Sequence, residues 1–387
     1  MIKGLSVLSE YLLSVLRAVL EGHAAPPPPE GLSMEELFAA SETHGLSAMV
    51  WYGLYGSGVI KEELAPFAAS RRRELIRAAL QDRAIDEISE ELEKEGVVYC
   101  PVKGFYTRQL YPEPSMRSMS DVDILIHDGD SERAKAIMDR LGYECLRFRI
   151  GNDDKYKKKG LLIEFHRGLD ADGLSDPEHY ADPWRFTEPV GGMRVKLKAD
   201  DAYLYTAAHA KKHFMHHGAG LRTLIDVYLS MTKEALDREY VEREAGKMGI
   251  SKFLKCMERL AAAAFADGSL EPGELEVLRF MLSSGVLGNE ENYETAKLLR
   301  SGTEDGKISK GRYFLKIVFP PLETMKKLSP MLENRPWLLP FAWIGRWFRL
   351  IFRGRDRIES GLSRFDRADK SEAEKLRGIY KTAGIDE

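Results

Sequence analysis

Two aspartates one residue apart, Asp121 and Asp123, head the apolar run Asp121-Val-Asp-Ile-Leu-Ile126, and one glutamate, Glu164, interrupts the apolar run Leu161-Leu-Ile-Glu-Phe165. Residues i and i+2 of a β-strand share a face, so the aspartates would stand side by side while Val122, Ile124 and Ile126 serve the interior. Two such carboxylates can share a hard cation. Mg²⁺, or Mn²⁺ in its place, takes one or two carboxylates together with water and substrate phosphates, so the pair suits a nucleoside triphosphate site. A third acid could deprotonate an attacking hydroxyl or complete a second metal site. Burying an unpaired carboxylate is costly, so Glu164 requires a metal, an Arg or a Lys beside it.

Cationic and amide donors surround that set. Val97 to Val102 reads as a strand, and Lys103-Gly104 then opens a short helical run through Tyr111. Glycine at such a turn lets backbone approach phosphate, and the first helical amides point at the anion. Lys103 or Arg117 could neutralise phosphoryl charge as it develops. His166, two residues after Glu164 on the same strand face, would orient that glutamate or the acceptor, or make a structural hydrogen bond. His209, His213 and His216 follow one another at helical offsets of four and three. They read as lining a partly solvated helix end near Gly218 and Gly220, with His209 a candidate contact to nucleotide or acceptor. Arg222 and Asp226, four apart, would pair across one helical turn.

The order Lys-Gly, Tyr-Pro, Arg, Asp-x-Asp on one strand and Glu-x-His on another resembles an uncharacterised bacterial nucleotidyltransferase family of the polymerase-β-like superfamily. His209-Ala-Lys-Lys-His213 with Leu221-Arg222 and Asp226 is similar to the family's helical segment, and Phe319-Pro-Pro321 with Pro336-Trp-Leu-Leu-Pro340 to its C-terminal signature. The likeness covers roughly residues 30 to 350. It implies an α+β fold with a mixed sheet flanked by helices. It further implies metal ligands at Asp121, Asp123 and Glu164, triphosphate binding by Lys103, Gly104 and Arg117, and transfer of a nucleoside monophosphate from a nucleoside triphosphate such as ATP, with loss of pyrophosphate.

Punctuation divides the chain into a helical region over 1–95, a catalytic unit over 96–198 and a helical region over 199–387. Pro26 to Pro29 is a stiff break, and Ser33 followed by Glu36 is a capping-box signal. Strands are predicted at Val97–Val102, Val122–Ile126, Tyr143–Ile150, Leu161–His166 and Met193–Leu197, with a helix over Asp130–Leu141. The basic cluster Lys155 to Lys159 reads as a solvated loop between two strands. From Asp200 onward only helices are expected.

At 387 residues with 44% hydrophobic and 30% charged residues, the chain can fill more than one core. A net charge of -4 argues against broad nucleic-acid binding. Cys100, Cys145 and Cys256 lack metal-site spacing and point to a reducing, cytoplasmic setting. Leu5 to Leu20 carries Glu10 and Arg17 at helical spacing and reads as an amphipathic helix, not a secretory signal. Trp337 to Phe352 concentrates three of the five tryptophans among arginines. It is too short and too charged to span a bilayer. It would seal the helical region with its aromatics buried or, extended to Arg355, touch a membrane surface. Two classes follow: a Mg²⁺- or Mn²⁺-dependent nucleotidyltransferase with an unknown acceptor, or a non-catalytic nucleotide-binding or peripheral membrane protein of cell-surface polymer assembly.

Overall fold

The computed structural model describes residues 2–169, 174–285, 318–332, 335–353 and 370–385, with isolated helical positions between 292 and 315. Apolar residues at helical spacing form α1 (Val7–Glu21), α2 (Met34–Thr43), α3 (Ser47–Leu54) and the long α4 (Lys61–Lys94). Ser33 caps α2 by accepting from the Glu36 amide at 3.2 Å. Seven short strands follow: β1 (Tyr99–Pro101), β2 (Asp121–Ile126), β3 (Glu144–Arg147), β4 (Asp153–Lys158), β5 (Leu161–His166), β6 (Thr187–Gly191) and β7 (Arg194–Leu197). Between them lie α5 (Gly104–Thr107) and α6 (Ser131–Arg140). α7 (Ala199–His216), α8 (Leu221–Lys233), α9 (Arg238–Lys247), α10 (Ser251–Phe265) and α11 (Glu274–Ser284) come after, and helices recur at Leu322–Leu328, Leu339–Arg353 and Lys370–Thr382. The fold is α+β, and after Asp200 the described residues hold no strand.

The sheet order is β3-β4-β5-β2-β1-β7-β6. β2 runs parallel to β5 and β1 to β7; every other neighbour is antiparallel. Alternation sends Val122, Ile124 and Ile126 of β2 and Ile163 and Phe165 of β5 to one face, where Ile85, Ile88 and Leu92 of α4 and Ile137 and Met138 of α6 cover them. The other face carries Leu125 and Cys100 into a larger core that joins Leu12 and Leu16 of α1 to Phe214 of α7, Leu224 of α8 and Phe253 of α10. The acidic residues therefore project toward the helices, opposite the α4–α6 layer.

Two expectations need correction. Lys155 to Lys158 belong to a strand, β4, not to a loop. Asp154 and Tyr156 alternate inward, so Lys155 and Lys157 are the other face of a paired strand. The aromatics of 337–352 are not uniformly buried either. Trp343 and Trp347 pack on Phe319 and donate their indole N–H groups to the carbonyls of Pro320 and Val318, both at 2.9 Å. Trp337, Phe341, Ile344 and Phe348 instead form an exposed stripe, with Trp337 70% exposed. Arg355, the end of the proposed membrane contact, lies outside the described residues. Among the described residues no helix is long and apolar enough to cross a membrane.

His44, at the end of α2, ties three helices together. Its Nδ1 accepts from the Leu221 amide at 3.4 Å, which leaves Nε2–H to donate to the Leu282 carbonyl at 3.1 Å. A second proton would set Nδ1–H against the Leu221 N–H. Burial pushes the His44 pKa down to about 4 from an ordinary 6.5, with the Leu282 bond acting the other way. The folded chain thus resists a proton that the unfolded chain accepts. The stability from neutral His44 is complete above about pH 6.5 and is lost as pH falls toward 4, by at most roughly 3 kcal/mol. Urea unfolding at pH 7.5, 6 and 5 should show a shallower acid loss in His44→Gln than in the native chain; equal slopes would refute this role.

Candidate active site

Register builds the site. Parallel pairing of β2 with β5 sets Asp123 opposite Glu164 and Asp121 opposite Leu162, and antiparallel pairing of β4 with β5 sets Lys155 opposite Glu164. His166 follows Glu164 on the same face. Asp123 Oδ1 lies 2.6 Å from His166 Nε2 and 2.8 Å from Lys103 Nζ, while His166 Nε2 is 3.7 Å from Glu164 Oε2. Lys155 forms an ion pair with Glu164. Lys103 Nζ also approaches His166 Nε2 at 3.2 Å. That one ring nitrogen can donate to Asp123 or accept from Lys103, but not both at once.

The two buried acids are displaced in opposite directions. Burial would raise Asp123, but the His166 hydrogen bond and the Lys103 charge outweigh it and hold the carboxyl well below the usual carboxylate range. Burial raises Glu164, and the Lys155 bond only partly offsets that. Lys103 is displaced upward: burial disfavours its charge, yet neighbouring Asp123 more than restores it. Its backbone sits at φ 52°, rare for a residue with a side chain, and is fixed between a Val102 N–H to Asp123 carbonyl bond of 3.0 Å and a Thr107 N–H to Lys103 carbonyl bond of 3.0 Å. Such a backbone costs on the order of 1–3 kcal/mol and persists where surroundings enforce it.

A cavity of about 240 Å³ opens between this face and the helices α7 and α8. Asp121, Asp123, Lys103, Gly104, Arg117, His209 and Arg222 all line it; Glu164 and His166 sit behind Asp123. Arg117 is engaged with Asp226, Nε to Oδ1 at 2.9 Å and Nη2 to Oδ2 at 2.7 Å, and Tyr111 donates to the same carboxylate at 2.7 Å. The expected Arg222–Asp226 pair therefore does not form, because a bidentate partner from outside the helix takes the acid. Gly104 makes room for this arrangement: a Cβ there would lie 2.6 Å from Arg117 Nη1 and 3.0 Å from Met119 Sδ.

His209, His213 and His216 of α7 are half-buried, and the first two line the cavity. His209 and His213 meet at 2.9 Å between their Nε2 atoms. Burial first, and His213 second, hold His209 well below the ordinary histidine pKa; burial brings His213 down to about 4. Both are neutral at physiological pH and face the cavity, where His209 Nδ1 is buried without a hydrogen-bond partner among the described residues.

Donor atoms of Asp123, Glu164 and His166 all lie within 4.8 Å of one another and are buried. Two carboxylates and an imidazole fit one divalent ion, and the imidazole makes the set less selective for Mg²⁺ than an all-oxygen set would be. Asp121 stands one register step away on the cavity wall. Sequence reasoning passed over Lys155 as a partner of Glu164, although the inward alternation of Asp154 and Tyr156 was the available signal.

Comparison with known families matches residues 30–266, more than half of the chain, to a model described as uncharacterised nucleotidyltransferase. The match ends short of residue 350, so the stretches at 319–321 and 336–340 lie beyond it. Neither the curated proteins nor the solved structures give a match.

Titration with Mn²⁺ followed by the loss of its free-ion paramagnetic signal tests the donor set without turnover. Asp123→Asn should remove high-affinity binding, and His166→Ala should weaken it by at least about 10-fold. A His166→Ala protein that binds Mn²⁺ like the native chain would exclude the imidazole as a ligand.

Proposed function

We propose that this chain, which belongs to the uncharacterised nucleotidyltransferase family, moves a nucleoside monophosphate from a nucleoside triphosphate to a hydroxyl or phosphate of a small molecule or protein. The carrying observation is the in-register pair Asp123 and Glu164 on neighbouring parallel strands, beside a cavity with cationic side chains on its wall. Asp121, Asp123 and Glu164, with His166, would hold Mg²⁺ or Mn²⁺. When bound, such an ion neutralises phosphate charge and orients the reacting oxygens.

For a hydroxyl acceptor, the acceptor oxygen attacks the α-phosphorus, the bond from that phosphorus to the bridging oxygen breaks, and pyrophosphate departs. The acceptor's proton passes to Glu164 through one water, since that carboxylate sits behind Asp123 and not on the cavity wall. Lys103 holds Asp123 ionised and adds positive charge to the wall. Gly104 leaves room for Arg117, which Asp226 fixes in place. His209 presents a neutral ring to nucleotide or acceptor, a surface that can stack or hydrogen-bond without adding charge. The acid set and free cysteines support a cytoplasmic enzyme supplied with NTP.

Incubation with each labelled nucleoside triphosphate, Mg²⁺ or Mn²⁺ and a cell extract as acceptor source should release pyrophosphate. Asp123→Asn and Glu164→Gln should each lower the rate on the order of 10²-fold or more. Equal release from the native chain and the Asp121→Ala/Asp123→Ala protein would refute the reading.

The exposed stripe Trp337, Phe341, Ile344 and Phe348 favours a second, compatible reading, in which the helix Leu339–Arg353 rests on an anionic membrane surface. Aromatic residues beside arginines suit that interface. Flotation with vesicles containing anionic lipid should carry the native chain upward and leave Phe341→Ser/Phe348→Ser behind; co-flotation of both would discard it.

A further inference from the structure

Arg222 is a cation with a place but no counter-ion. It lies in the first turn of α8, lines the cavity and donates from Nη1 to the Ser118 carbonyl at 2.7 Å. Among the described residues it forms no ion pair, because the acid four residues on is held by Arg117 and Tyr111. A guanidinium offers five N–H donors in a fixed plane, so most of its hydrogen-bonding capacity is not spent on Ser118. Burial, and then the charge of Arg117 beside it, push its pKa down to about 10, so it stays cationic at neutral pH. Holding such a half-buried charge without an ion-pair partner is unfavourable, and an anion would reverse that.

A second feature converges on the same place. α8 spans thirteen residues, and the residue before it, Gly220, has no side chain with which to cap it. The Leu221 amide is taken by His44 Nδ1 at 3.4 Å and the Thr223 amide by the Gly220 carbonyl at 3.1 Å, which leaves the Arg222 amide and the positive end of the dipole to an anion. Ala219, Gly220 and Thr223 line the cavity with Arg222. The turn expected to grip phosphate is otherwise occupied. Lys103 bonds Asp123 and His166, Arg117 and Met119 cover Gly104, and α5 has only four residues.

We infer that Arg222 and the first turn of α8 seat the terminal phosphates of the nucleoside triphosphate, on the helical side of the cavity whose sheet side carries Asp121 and Asp123. The identity of the ligand rests on the nucleotidyltransferase reading; the anion seat itself does not.

Inorganic tripolyphosphate, titrated calorimetrically without divalent metal, probes the seat independently of turnover. Arg222→Gln should weaken its binding at least 10-fold, and Arg222→Lys should fall between, since an ammonium cannot present a planar fork. Thr223→Asp places a carboxylate in the first turn, where it favours the helix while competing for Arg222. It should abolish binding with thermal stability maintained, and it decides the matter if Arg222→Gln does not fold. Tripolyphosphate binding that is absent from the native chain, or unchanged in folded Arg222→Gln or Thr223→Asp, overturns the seat. If binding depends on Arg222 while no nucleoside triphosphate yields pyrophosphate, the seat stands and the transferase reading fails. If pyrophosphate release proceeds with an unaltered KM in Arg222→Gln, the seat fails and the transferase reading stands.

Discussion

Parallel pairing of β2 with β5 determines where this protein buries its charge. Because strand side chains alternate, a slip of one residue would send Glu164 and His166 into the apolar layer under α4 and α6 and would turn Ile163 and Phe165 toward the cavity. The observed register instead sets Asp123 against Glu164 on the helical face. Two carboxylates so placed repel each other and lose water. The chain offsets both costs with Lys103 on Asp123 and Lys155 on Glu164. β1, β2, β4 and β5 are therefore joined by charge as well as by backbone hydrogen bonds.

Beside the shared core, one short segment ties the sheet's edge of the cavity to α4 and α8. Tyr111 and Arg117 reach Asp226, Ser118 accepts from Arg222, and Gln81 of α4 donates to the Met119 carbonyl at 3.1 Å. Residues 111–119 thus lie between α4 and α8 and set the distance from the acids to the first turn of α8. His44 holds the same turn from behind through the Leu221 amide. Gly220 permits the approach, since a Cβ there would stand 2.6 Å from the Gly285 carbonyl carbon and 2.8 Å from His44 Nδ1. The shape of the cavity is consequently a property of several distant segments.

That dependence explains what was legible in the sequence. β2 and β5 could be read because each alternates apolar residues with acids or a histidine, a pattern with few other physical explanations. α6 and the capped start of α2 were equally clear from local signals. β4 was obscured because the face it turns to Glu164 is lysine, which on its own reads as a solvated loop; the need of Glu164 for a cation was evident, but not which strand would supply it. β6 carries Pro189 and ends at Gly191, both poor strand residues, and only its pairing with β7 defines it. The partner of Asp226 could not be found by helical spacing, since Arg117 lies 109 positions away in sequence. The same limit hid the cavity that His209 and His213 line, whose other walls belong to distant elements.

Charge within the cavity is segregated, and this follows from which partners are local. On the sheet, acids and lysines pair at contact distance, leaving carboxylates that are already oriented. On α8, the acid one turn from Arg222 is drawn away by a bidentate guanidinium from the 111–119 segment, leaving a positive charge in the first turn of the helix. A ligand that matches both ends must bring anionic groups to α8 and bridge toward carboxylates through cationic charge. A phosphate chain accompanied by a divalent ion has that distribution, and a neutral or purely cationic molecule does not. The charge left on α8 thus originates in the competition of Arg117 and Arg222 for Asp226, which Arg117 wins because two parallel hydrogen bonds outweigh one helical-turn contact.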